Sequence, residues 1–427
     1  MNKFYIFFYF IVGLLSAFCI RLLGLITIGE IIVILYSLWC VISGRLKWKV
    51  TSFDKMTRKI VWLLLLASFS CVITNVLYNS LIGDILKGFG TISLLAFSFL
   101  FFKKMLFDRY EYIIPFLLGY GLSTIIVNLY FIQFSDLIVG ERGLEMNFFR
   151  EEMYAYIICN MAFFLNGYLY SKSKKILLIS NLVLAFICLF GNSRTNFLML
   201  IITDFFLLLN YNITIRGIHY TMMTLSKWFF FLCLLLFLSY FSYSYLASNG
   251  YLGKGAQQKY EIQSHNKGGI LSARSYIVRG FITISKHPLG GVGTKHQVDD
   301  NIQIRRDFAK VTHTRFRSWD KNIMSHTAVF DWWIAYGFLT FPFWVYVLLL
   351  AIKGLMCAVK SNHPLVALGI FSSLILLWNM FNSPFGGRVQ YGFSIMLEIF
   401  IICNYHKGIN ENEKVKNYRR NWLQSQG

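Results

Sequence analysis

At 427 residues, with 56% hydrophobic and only 14% charged side chains, the chain falls well short of the roughly one-quarter charged make-up of soluble domains, which excludes an ordinary soluble enzyme. Its net charge of +21 does not point to nucleic acid, because the basic residues lie in short clusters between apolar segments, as in the cytoplasmic loops of a membrane protein.

Crossing the hydrocarbon core takes an apolar helix of about 17–25 residues. Twelve such stretches follow one another, near 4–20, 22–43, 60–79, 86–102, 110–132, 153–170, 176–191, 195–210, 228–246, 327–352, 364–382 and 389–403. The first two are split only around Arg21, so a single long element is also open there. The first is too lightly charged at its start, and lacks the small-residue cleavage site, of a removable signal peptide. The eight cysteines all fall inside apolar runs, which reads as buried thiols and not as disulfides or metal ligands.

Charge sets the expected orientation. With the N-terminus inside, the cytoplasmic pieces hold 22 Lys and Arg, while the short outer connections hold 6: Arg21, Lys87, Arg142, Arg150, Arg194 and Arg388. That imbalance predicts both termini in the cytoplasm. The exception is 247–325, with 13 basic residues against 5 acids. It is long enough to escape the rule for short loops, and a net +8 facing outwards calls for an anionic partner. The expectation is an all-α integral membrane protein of about twelve transmembrane helices. Residues 1–246 form the first nine, 247–325 a large extracytoplasmic loop with short amphipathic helices, 326–403 the last three, and 404–427 a basic cytoplasmic tail.

Three constellations could carry chemistry. Gly191-Asn192-Ser193-Arg194-Thr195 is the whole connection between spans seven and eight, so Arg194 sits at the outer face with little room to snorkel. A guanidinium fixed there is either an interfacial anchor or a bidentate fork for phosphate. In the loop, 272–286 has the spacing of an amphipathic helix. Ser272, Ser275, Arg279 and Lys286 share one face, Ile277, Phe281 and Ile284 the other, and Pro288 and the glycines end it. Arg274 projects on the apolar side and needs an anion there, while Arg279 lies on the polar side. The turn at 290–293 could offer backbone N–H groups to phosphate. The third, Ser325-His326-Thr327, opens span ten. A histidine in a first helical turn is disfavoured from protonating, and a neutral imidazole is what a general base requires. The bland alternative is an interfacial histidine without a role. Arg388 is another outer-face arginine, as is Arg142 between spans five and six. Glu30, Asp204 and Glu398 fall within predicted spans. Histidines 265, 287, 296 and 313 have no metal-ligand spacing.

Together these features resemble the O-antigen ligase and Wzy-type polysaccharide polymerase superfamily. Asn192-Ser193-Arg194-Thr195 resembles its Ser-Arg turn, 274–293 its Arg, short helix and Pro-x-Gly-x-Gly segment, and Ser325-His326 through Tyr336-Gly337 its His before a helix with a downstream Gly. Thr327 stands where the family often has Asn. The resemblance implies a glycosyltransferase that joins glycan repeat units on undecaprenyl diphosphate at the outer face of the cytoplasmic membrane of a bacterium. In that setting His326 and Arg274 would be catalytic, and Arg194, Arg279, Arg388 and Arg142 would hold the diphosphate or glycan. No metal or cofactor is implied, and a chain-length regulator is a possible partner. A ligase moving finished glycan to an acceptor has the same parts, and a lipid-linked glycan flippase or transporter is the alternative of a different class.

Overall fold

The computed structural model describes residues 2–21, 25–46, 48, 51–138, 145–190, 193–214, 222–252, 257, 260–261, 275–294, 301–312, 327–382 and 388–424. Helix dominates throughout. The apolar start of the chain is not one long element. Helix α1 (Lys3–Leu14) closes with a 3-10 turn at Leu15–Ala17, and a small antiparallel hairpin pairs Cys19–Arg21 with Leu25–Thr27 before α2 (Ile28–Ile42). A complete capping box explains the new start. The Thr27 hydroxyl accepts from the Glu30 N–H at 3.1 Å, and Glu30 Oε2 accepts from the Thr27 N–H at 2.8 Å, so two otherwise unpaired donors are satisfied reciprocally.

Seven long helices follow: α3 (Ser52–Leu77), α4 (Ile82–Asp108), α5 (Ile113–Ile138), α6 (Glu145–Leu169), α7 (Lys174–Phe190), α8 (Arg194–Thr214) and α9 (Met222–Ser248). Helix α3 starts well before its apolar stretch because Thr51 caps it, accepting from the Asp54 N–H at 3.2 Å. Its charged first turn is then built in: Asp54 and Lys103 of α4 form a buried pair at 2.7 Å, and Lys103 lies 3.3 Å from the centre of the Trp48 ring.

Two helices, α10 (Ser275–Lys286) and α11 (Asn301–Thr312), come next among the described residues and are joined by the Lys286–Asp307 ion pair at 3.0 Å. Lys286 holds the Asp307 carboxyl below the usual range. Of the helix expected over 272–286, the part before Ser275 lies outside the described residues. The span expected over 327–352 is not continuous. It is α12 (Ala328–Tyr336), a break at Gly337, a 3-10 turn at Phe338–Thr340, and α13 (Phe341–Val359). After α14 (Val366–Asn382), α15 (Arg388–Gln424) runs on for 37 residues. The segment beyond 403, expected as a separate tail, continues that helix.

Among the described residues, five segments are long and apolar enough to cross a membrane: Ser52–Leu77, Ile82–Asp108, Tyr110–Val127, Arg194–Thr214 and Phe338–Val359. Four shorter apolar helices accompany them, at Lys3–Ala17, Ile28–Ile42, Ala155–Leu169 and Val366–Asn382. Large apolar side chains remain exposed along these helices, Leu65, Phe69 and Val76 on α3 among them, as a lipid-facing surface requires. The interior is closed by small-residue contacts and polar ties, which is how helices associate in lipid. Gly13 of α1 lies against the Phe116 carbonyl of α5, and Gly119 of α5 against the Phe10 carbonyl. Asn210 of α8 donates to the carbonyls of Val359 and Ser361 at 2.9 and 2.8 Å and accepts from the Tyr170 hydroxyl at 2.8 Å. It thereby satisfies carbonyls that the end of α13 leaves without a helical partner.

The turn between α13 and α14 contains a pH-sensitive contact. His363 Nδ1 accepts from the Leu365 N–H at 3.2 Å, which only an unprotonated nitrogen can do. Burial, against an opposing pull from Glu111, pushes the imidazole down to about 4. The unfolded chain takes up the proton near pH 6.5 and the folded one does not, so stability is full above that pH and falls as pH drops towards 4. Thermal unfolding in detergent at pH 7.5 and pH 5 (both within the ordinary working range of about 5–8) should show a lower midpoint at the acidic value. His363→Gln should flatten that difference.

Candidate functional site

One end of the bundle carries Arg194 and Arg388. Helices α8, α13 and α15 run parallel: the end of α8 meets the end of α13 through Asn210, Tyr391 of α15 packs 5.8 Å from Trp344 of α13, and Glu398 further along meets Gly354. Arg194 and Arg388, the first residues of α8 and α15, therefore stand at the same end. Both are placed against the positive pole of their own helix, an unfavourable position for a cation.

The two arginines are compensated differently. Arg388 makes a forked ion pair with Glu30, Nε to Oε1 at 2.9 Å and Nη2 to Oε2 at 3.3 Å. The same carboxylate caps α2, so Glu30 ties the start of α2 to the start of α15 and is only 5% exposed. The guanidinium carbon of Arg194 lies 4.2 Å from the centre of the Tyr243 ring of α9, a cation–π contact. Beside Arg194, Asn196 donates to the Ala155 carbonyl of α6 at 2.6 Å.

Removing one half of the Arg388–Glu30 pair should cost about 3–5 kcal/mol, because the other charge is left buried and uncompensated. Arg388→Ala and Glu30→Gln are each expected to lower the unfolding midpoint, and the double variant to recover part of the loss. A double-mutant cycle in detergent measures that coupling.

The segment 288–294 is clasped to this end by its glycine turn. Val292 N–H donates to the Ile334 carbonyl at 2.6 Å and Phe338 N–H to the Leu289 carbonyl at 2.9 Å, while the Trp333 indole donates to the Pro288 carbonyl at 2.8 Å. Gly291 and Gly293 have φ of 64° and 80°, and a Cβ on Gly291 would stand 2.5 Å from the Trp333 and Ile334 carbonyls. The C-terminal end of α3 receives the turn. Asn75, fully buried, donates to the Cys71 carbonyl at 2.8 Å and accepts from the Thr294 N–H at 3.0 Å. The Ser70 hydroxyl donates to the Tyr336 carbonyl at the helix break, and the Tyr78 hydroxyl and His287 Nδ1 are hydrogen-bonded at 3.2 Å.

Within the turn at 290–293 the Val292 N–H is thus spent on the protein, as is the N–H of Thr294 just after it. Ser70 and Asn75 were not singled out by sequence; small polar residues in an apolar run carry no signal of a partner some 200 residues away in the chain. Helix α10 meets α12 through Phe281, whose ring lies 4.9 Å from Phe330. Arg279 is half-buried on α10, its carbonyl accepting from the Thr283 hydroxyl at 2.9 Å.

Helix α12 starts one residue later than the sequence suggests. Thr327 is its N-cap, accepting from the Phe330 N–H at 3.2 Å; His326 is the residue before that cap in the sequence. His326, Arg274 and Arg142 lie outside the described residues. Trp332 of α12 and Tyr391 of α15 both pack on Trp344, at 5.3 and 5.8 Å between ring centres, which puts α12 near the start of α15. Among the described residues no three His, Cys, Asp or Glu side chains gather as metal ligands. No family model and no curated protein matches the chain.

Proposed function

We propose that the protein is a polysaccharide repeat-unit polymerase, a glycosyltransferase that joins undecaprenyl-diphosphate-linked glycans at the outer face of a bacterial cytoplasmic membrane. The observation that carries this reading is the pairing, at one end of the bundle, of two helix-starting arginines with a basic loop clasped beside them. Helix starts favour anions through their dipole and free N–H groups, and a guanidinium added there strengthens that preference. A diphosphate leaving group is an anion whose charge builds up as the glycosidic bond breaks, so cations already in place lower the barrier. Arg194 and Arg279 neutralise the diphosphate together with Arg274, Arg142 extends the basic rim, and Arg388, its charge met by Glu30, braces the rim from beneath. His326, just ahead of the Thr327 cap, takes the proton from the attacking sugar hydroxyl as the new glycosidic bond forms. The proton ends on the imidazole and the charge on the departing diphosphate.

Arg194→Ala should lower the polymer-forming rate by about 10²–10³, the cost of one preorganised donor at a developing charge. Arg194→Lys should restore it only in part, since an ammonium cannot fork across two phosphate oxygens. Chain growth on lipid-linked repeat units in membranes holding equal amounts of each variant measures both. Unchanged growth in Arg194→Ala would remove Arg194 from the site.

A further inference from the structure

The glycine turn presents an apolar tip that the proposed chemistry does not use. Leu289 is 77% exposed, although the turn around it is held rigidly: its own carbonyl accepts from Phe338, the preceding carbonyl from the Trp333 indole, and Val292 is bonded to Ile334. These ties fix the backbone of the turn, and with it the position of Leu289 at its tip. Around it lie other exposed apolar groups. Phe338 and Leu339 flank the helix break, and Tyr78, Leu81 and Ile82 form the connection between α3 and α4. The turn touches both neighbours: Gly290 lies against the Tyr78 ring, Gly293 beside Ser80, and the Phe338 N–H is bonded to the Leu289 carbonyl.

What covers this patch is indicated by what it continues. Directly below it, Val72, Val76 and Leu77 are exposed on α3 and Leu86 and Phe89 on α4, and both helices are long and apolar enough to cross a membrane. Their exposed stripes face lipid, and the patch prolongs the same stripes past the helix ends. Its aromatic members suit the interface between acyl chains and headgroups, where Trp and Tyr put an apolar ring towards lipid and a polar atom towards a partner. Here the Trp333 indole already has its partner in Pro288, and the Tyr78 hydroxyl has one in His287.

We propose that the Pro288-Leu289-Gly290 turn, with Phe338, Leu339 and the connection between α3 and α4, is an interfacial anchor that inserts into one leaflet of the bilayer. The large loop is then tethered to the membrane by its own turn. Helices α10 and α12 are held at headgroup height, where any lipid-borne phosphate lies. This inference needs only the membrane reading and stands or falls apart from the glycan chemistry.

A photoreactive benzoyl-phenylalanine at position 289 tests it, with the same residue at Gln303, an exposed position on α11, as the control. The full-length protein is reconstituted in vesicles of phosphatidylethanolamine and phosphatidylglycerol carrying a radiolabelled phospholipid, and irradiated. At least about tenfold more lipid adduct at 289 than at 303 is expected, the ratio that burying a leucine-sized apolar group in lipid supports. Equal or absent labelling at 289 would overturn the anchor, as would a protein–protein adduct in place of the lipid one.

Discussion

His326→Ala should slow glycan joining by about 10²–10⁴, the usual contribution of a positioned general base, with little change in the amount or stability of folded protein. The separation of the two effects follows from local structure. Thr327, not His326, caps α12, so the helix start keeps its hydrogen bond to Phe330 when the histidine is removed. His326→Gln, which keeps polarity but not basicity, should be as slow as His326→Ala. Chain growth in membranes, with detergent-solubilised protein checked for its unfolding midpoint, measures the split. A variant that extends glycan at the parent rate would show that the proton is taken elsewhere.

Gly337→Ala should damage the protein more broadly. Gly337 has φ 86° and ψ 175°, a region essentially closed to side-chain-bearing residues, at a cost of about 1–3 kcal/mol. A Cβ there would also stand 2.8 Å from the Thr74 hydroxyl, 3.0 Å from the Leu289 carbonyl and 3.2 Å from the Ser70 hydroxyl. Overpacking of this kind adds about 1–3 kcal/mol. The same residue ends α12, through its own N–H to the Trp333 carbonyl at 2.8 Å, and sits under the glycine turn. Strain at this point therefore reaches both the break and the clasp. Gly337→Ala is expected to lose several degrees of thermal stability and most chain-growth activity together. Thr74→Ala, which removes the nearest of these neighbours, should relieve part of the steric loss but none of the backbone strain. Full stability in Gly337→Ala would contradict the break as a fixed feature of the fold.

The sequence carries the helices well because apolar length is a local property, and α3, α4, α8 and α14 appear where the apolar stretches predict them. It is less informative where a single residue overrides a run. Gly337 is one glycine inside an apolar stretch, and only the carbonyls, hydroxyls and turn packed around it force a break there. The start of α2 was legible in principle, since Thr27 and Glu30 have capping-box spacing, but the apolar flanks hid it. The sequence marks Arg388 as an outer-face arginine between the last two spans and Glu30 as an acid within a span. Their pairing, 358 residues apart, depends on topology that no local pattern encodes. The same holds for Asn75 and the glycine turn.

The central claim is tested most directly by giving the purified protein, in liposomes, undecaprenyl-diphosphate repeat units and resolving the glycan by gel. A ladder of increasing lengths is the predicted result, lost in His326→Ala. Repeat units that remain single beside folded wild-type protein would contradict the polymerase reading.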